Sequence, residues 1–102
     1  MNILVATTNF GLGPVSKLYS ILQEILKMKD ISVTFLGNGL SLDFIKRNFG
    51  NKITYKICDT DNINETELLE IADFEKYNLF INVMNINIPK IQKSKKIKIK
   101  SV

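Results

Sequence analysis

Two aspartates flank a threonine at Asp59-Thr60-Asp61, where an apolar run gives way to a polar loop. Two carboxylates two residues apart on such a loop can serve as a general base or hold a cation. The same tripeptide also suits a solvated turn closed by Asx hydrogen bonds. Asp59 and Asp61 are the candidate catalytic residues because the rest of the acid–base repertoire is thin. The 102-residue chain contains no histidine, which excludes histidine bases, histidine triads and histidine metal sites. Its one cysteine, Cys58, can form neither an internal disulfide nor a thiolate metal cage. Cys58 lies within an apolar stretch and reads as a small buried hydrophobe, and Tyr19, Tyr55 and Tyr77 read as packing residues. No metal and no cofactor are expected.

The second constellation is Asn9-Phe10-Gly11-Leu12-Gly13-Pro14-Val15-Ser16-Lys17. Two glycines between a strand and a helix let the backbone turn tightly and let another group approach it closely. The helix that follows offers free N–H groups and a partial positive charge at its start. A simple tight turn would use the same residues. A dinucleotide fingerprint would need glycine or alanine where Ser16 stands and an acid after the second strand, which instead ends Leu36-Gly37-Asn38-Gly39. A phosphate loop would need Gly-Lys-Ser/Thr, which is absent. Nucleotide binding by this stretch is therefore disfavoured.

These residues need elements to hold them. Met1 to Thr8 reads as a buried strand around Ile3-Leu4-Val5-Ala6. Val15, Leu18, Tyr19, Leu22, Ile25 and Leu26 recur at three- and four-residue spacing and predict an amphipathic helix over about 14–28, with Pro14 in its first turn. Ile31 to Leu36 is a second strand. Ser41 is the expected cap of a second helix with Leu42, Ile45 and Phe49 as its buried stripe, ended by Gly50-Asn51. Ile53 to Cys58 alternates as a third strand, with Ile53, Tyr55 and Ile57 on one face. Asn64 caps a helix over 65–72, Leu79 to Met84 is a fourth strand, and Ile97-Lys98-Ile99-Lys100 hints at a fifth. This β-α-β-α-β-α-β order predicts a parallel sheet between helices, with ligands outside the carboxyl ends of the strands. That rim would gather the loops 9–13, 37–40, 59–62 and 85–89. The candidate binding residues are accordingly Asn9, Phe10, Gly11, Leu12, Gly13, Gly37, Asn38 and Asn85.

At this length the chain is one domain, and 45% hydrophobic residues give it a globular composition. No apolar run approaches the roughly 18–20 residues that cross a bilayer, and the apolar start lacks the basic lead-in of a signal peptide. The cytosol is the expected compartment. The net charge of +4 is unevenly placed. Residues 90–102 hold Lys90, Lys93, Lys95, Lys96, Lys98 and Lys100 with no acid, hence +6, while residues 1–89 set eight bases against ten acids, hence −2. A mildly acidic body argues against a nucleic-acid-binding fold. The lysine tail, without arginine or interleaved aromatics, suits a solvated loop and a charged edge strand as well as an anion-seeking arm.

The opening Met1-Asn2-Ile3-Leu4-Val5-Ala6-Thr7-Thr8, the turn Gly11-Leu12-Gly13-Pro14-Val15-Ser16-Lys17 and the run Leu79-Phe80-Ile81-Asn82-Val83-Met84-Asn85 resemble the N-terminal domain of glycosyltransferases of the GT-B fold. The resemblance implies a Rossmann-like three-layer α/β domain with a mostly parallel four- to five-stranded sheet. It spans nearly all of the chain and less than half of a whole enzyme. It implies that the chain binds a hydroxyl-bearing acceptor at a cleft lined by Gly11 and Gly13, while a donor-binding second domain or chain supplies the nucleotide sugar. Pro14 stands where many members place a base histidine, and Lys17 where arginine is usual, so histidine-based deprotonation by this chain is excluded. The alternation Lys96-Ile97-Lys98-Ile99-Lys100 stops as a strand begins, which predicts a truncated product, a fragment, or a partner half on another chain or in a homo-oligomer. The alternative is a non-catalytic Rossmann-like binding or regulatory module.

Overall fold

A computed structural model of the chain describes residues 1–9, 11, 13–84 and 97–102. Strand β1 (Asn2–Thr7) is the central strand of the sheet, and its residues from Ile3 onward are buried on both faces, which is why its apolar run is continuous. It pairs in parallel with β2 (Ser32–Gly37) on one side and β4 (Leu79–Val83) on the other, so that Val5 lies between Phe35 and Ile81. Strand β3 (Thr54–Ile57) pairs with β2, and β5 (Lys98–Ser101) pairs with β4, both in parallel. The order is β3-β2-β1-β4-β5. The chain therefore builds outward from β1 through β2 to β3, then returns to the other side of β1 and builds the opposite way.

The helices cover both faces. Helix α1 (Gly13–Ile25) buries Val15, Leu18 and Leu22, and α2 (Gly39–Phe49) buries Leu42, Ile45 and Phe49, against Ile3, Val5, Val33, Phe35, Ile81 and Val83. Helix α3 (Glu65–Ala72) buries Leu68 and Ala72 on the opposite face against Leu4, Ala6, Leu36 and Phe80. The protein is thus an α/β domain of Rossmann-like three-layer architecture with a five-stranded, all-parallel sheet. Among the described residues, no helix is long and apolar enough to cross a membrane.

Local chemistry accounts for most of these boundaries. The Asn64 side chain accepts the Glu67 N–H at 2.9 Å and starts α3 as its N-cap. Helix α2 departs from expectation: it begins at Gly39 with Asn38 in the N-cap position, and Ser41 lies inside it. The reason is a cap delivered from elsewhere. The Ser41 N–H donates to Asn9 Oδ1 at 2.8 Å, so a residue of the first rim loop satisfies one of the orphan donors in the first turn of α2. The Ser41 hydroxyl instead donates to the Asn38 carbonyl at 3.0 Å. Strand β3 also departs from its alternating pattern. Ile57 is 72% exposed although Ile53 is buried, because its register partner on β2 is Gly37, which offers no side chain to pack against.

Gly37 has a packing reason of its own. A Cβ there would sit 2.7 Å from Cε1 of the Phe35 ring, which is fully buried. Gly37→Ala is therefore expected to push that ring off its rotamer and cost roughly 1–3 kcal/mol, read as a lower urea midpoint with an unchanged m-value.

Candidate functional site

The rim at the carboxyl ends of β1, β2 and β3 is tied together by one residue. Asn9 follows β1 and is half-buried. Its backbone N–H donates to Asp61 Oδ1 at 2.8 Å and its Nδ2 donates to Asp61 Oδ2 at 3.1 Å. The same Nδ2 donates to Asn38 Oδ1 at 3.0 Å, while Oδ1 accepts the Ser41 N–H. Both ends of one amide are thus in use, and three loops that are far apart in sequence share a single clasp. Close by, the buried Thr60 hydroxyl donates to the Thr7 carbonyl at 2.7 Å and pins the loop after β3 to the end of β1.

The clasp changes the picture of the two candidate carboxylates. Both oxygens of Asp61 accept from Asn9. Asp59 Oδ1 accepts the Asp61 N–H at 3.3 Å and its Oδ2 accepts from Asn62 Nδ2 at 2.9 Å, which is an Asx-type turn. Each carboxylate has a structural occupation. No group of three or more Asp, Glu or Cys side chains among the described residues is arranged to hold a metal. Cys58 is buried, and its thiol is pushed up by that burial first and then by the charges of Asp59 and Glu67. It is not an activated nucleophile. Burial also raises the Tyr55 phenol, whose hydroxyl donates to the Gly50 carbonyl at 2.8 Å.

A groove of about 430 Å³ opens on the other side of the rim. Its wall is the first turn of α1, with Gly13, Pro14 and Lys17, and its floor is Val83 and Met84 at the end of β4 with Val102 beyond β5. This is where the order of strands reverses between β1 and β4, the switch point at which open parallel sheets leave a crevice. The two glycines of the turn have different reasons to be glycine. Gly11 sits at φ +73°, a left-handed conformation that disfavours side chains. Gly13 has no such need, and a Cβ built there would meet no described atom within 4 Å. Among the described residues, none fills the space that its missing side chain leaves at the groove wall.

Among the described residues that line the groove, Lys17 has the one charged side chain, and the first turn of α1 holds no acid. Lys98 and Lys100 are in register with Leu79 and Ile81 and so lie on the same sheet face.

Of the residues singled out by sequence, Asn9 and Asn38 meet in the clasp and Gly13 lines the groove. Gly11 lies between them in the same turn, and Gly37 ends β2 beneath the clasp. Phe10, Leu12, Asn85 and the lysines from Lys90 to Lys96 lie outside the described residues. Val83, Met84 and Val102 were not legible as site residues. Only the reversal of strand order brings them beside α1, and that order is not written in any local motif.

Compared with known proteins, the chain matches no family model, no curated protein and no solved structure.

Proposed function

We propose that the chain is a Rossmann-like binding module that receives a small hydroxyl-bearing ligand in the switch-point groove and performs no acid–base chemistry of its own. The observation that supports this reading is the open groove beside Gly13, at the place where the strand order reverses. Lys17, the one charged side chain among the described lining residues, favours a neutral or anionic ligand over a cationic one. The hydrogen bonds that occupy Asp59 and Asp61 favour binding over catalysis.

The acceptor-side glycosyltransferase is the enzymatic form of the same reading. It puts the hydroxyl-bearing acceptor in this groove and leaves the nucleotide sugar to a donor-binding second domain or chain. What favours it is that Gly13, the rim glycine of the resemblance, stands open at the groove.

Amide chemical-shift mapping of the labelled protein with a panel of mono- and disaccharides, sugar phosphates and nucleotide sugars tests both. The expected result is saturable shifts at Gly13, Lys17 and Met84. Gly13→Val, which fills the open space, should weaken binding about tenfold, equivalent to about 1.4 kcal/mol. Shifts confined to other surfaces, or affinity indifferent to Gly13→Val, would sink the groove as the site. Turnover of a nucleotide sugar by this chain alone would overturn the assignment of donor chemistry elsewhere.

A further inference from the structure

Asn38-Gly39 is the one asparagine–glycine pair in the sequence, and it lies at the start of α2 within the rim clasp. That dipeptide is prone to a reaction of its own. The backbone nitrogen of the glycine attacks the side-chain carbonyl carbon of the asparagine. A bond forms between Gly39 N and Asn38 Cγ, the Cγ–Nδ2 bond breaks, and ammonia leaves with the proton that the glycine nitrogen gives up. Water then adds across one of the two carbonyls of the resulting five-membered imide. The product is aspartate, or isoaspartate if the ring opens at the backbone side. No oxidant or reductant takes part.

Several features of the structure leave the nucleophile accessible. Gly39 is exposed and has no side chain to shield its nitrogen. It is the first residue of α2, so its N–H has no intrahelical acceptor. Other features hold the electrophile back. Asn38 Oδ1 accepts from Asn9 Nδ2 at 3.0 Å, which fixes the side chain toward the first rim loop. The Asn38 backbone is extended, with ψ at −179°, and this keeps Cβ out of the plane that closing the ring requires. The α2 turn adds to the restraint through the Leu42 N–H and the Ser41 hydroxyl, both of which donate to the Asn38 carbonyl.

From this juxtaposition we infer that Asn38 is a latent self-deamidation site guarded by the Asn9 clasp, and that its conversion disables the clasp. Asn9 Nδ2 is shared between Asn38 Oδ1 and Asp61 Oδ2. An amide at position 38 suits that sharing because it brings no charge. A carboxylate there faces the Asp61 carboxylate across a single N–H₂ group, and like charges so placed repel. Isoaspartate in addition reroutes the backbone through the side chain between Gly37 and Gly39. The step is irreversible, so each opening of the clasp risks a lasting change in the rim.

The experiment follows the amide-to-acid mass increment by peptide mapping during incubation in mildly alkaline buffer, with isoaspartyl methylation to mark the rearranged product. The folded chain is expected to convert at Asn38 much more slowly than the chain unfolded in urea. Asp61→Asn keeps an acceptor for the Asn9 backbone but sets an amide against Asn9 Nδ2, and so loosens the clasp. It should speed conversion about tenfold, the gain in open population that one ordinary hydrogen bond gives up. Asn9→Ser, which removes the shared donor, should do the same. Ile25→Ala, at the far end of α1, serves as the control for stability loss alone and should leave the rate near that of the native chain. Exposed Asn51 and Asn62, followed by lysine and isoleucine, should stay intact throughout. Conversion as fast in the folded chain as in urea would overturn the guard. So would equal rates in Asp61→Asn and the native chain, or a rate that tracks melting temperature in Ile25→Ala as closely as in the clasp variants. No conversion in urea would remove the site itself.

Discussion

Phe80→Ala is expected to destabilise the protein by about 3–5 kcal/mol, a large part of the roughly 5–15 kcal/mol that a domain has in all. Phe80 is fully buried in β4 and bridges the sheet to the α3 layer. Its ring lies 5.1 Å from that of Phe74, tilted by 57°, in the turn that follows α3. This layer is thin: α3 has eight residues, of which Leu68 and Ala72 are buried, and the small Ala6 and Ala72 cannot reach into the space that the ring would leave. The cavity therefore persists and the cost lies toward the upper end of the range. Urea unfolding followed by circular dichroism measures it. Ile57→Ala, at an equally apolar but exposed site, should move the midpoint by no more than about 0.5 kcal/mol. A Phe80→Ala loss as small as that of Ile57→Ala would mean that the α3 layer is not part of the cooperative core.

The contrast between Phe80 and Ile57 also marks how far the sequence could be read. The continuous apolar run of β1 foretold a strand buried on both faces, and the run of β4, apolar except for the buried Asn82, foretold a strand. The 3.6-residue recurrence of Val15, Leu18 and Leu22 foretold α1, and Asn64 foretold the start of α3, because a cap acts on its own first turn. Each of these signals is local. Ile57 failed because its environment is decided by Gly37 on a neighbouring strand. Ser41 failed because its N–H is satisfied from thirty-two residues away. Asp61 admitted two readings from sequence, a carboxylate with chemistry to do and part of an Asx-bonded turn, and its bonds to a residue fifty-two positions earlier could be read from neither. The groove was legible only in part. The glycine turn announced its wall, whereas its floor at Val83 and Met84 depends on the reversal of strand order.

Asn9→Ala should show how much the rim relies on that one side chain, with an expected loss of about 2–4 kcal/mol. The substitution leaves the backbone bond to Asp61 Oδ1 but removes the three bonds of the amide. The Ser41 N–H loses the acceptor that caps α2, a loss of about 1 kcal/mol by analogy with ordinary caps. Asp61 Oδ2 loses a charge-assisted partner, which costs about 1.5–3 kcal/mol before water replaces some of it at this half-buried site. Ser41→Ala removes a single hydroxyl bond and keeps the N–H, so its loss should stay near 1 kcal/mol. The pair Asn9→Ala and Asp61→Ala should couple by at least about 0.5 kcal/mol in a double-mutant cycle, because they break the same contact. Amide hydrogen exchange adds a local readout: exchange at Ser41 should quicken far more in Asn9→Ala than at Leu22, which is held by the core alone. Additive energies and uniform exchange would show instead that the three loops are fixed independently by the strands beneath them. The rim would then owe its shape to the sheet, and Asn9 would be one polar contact among several.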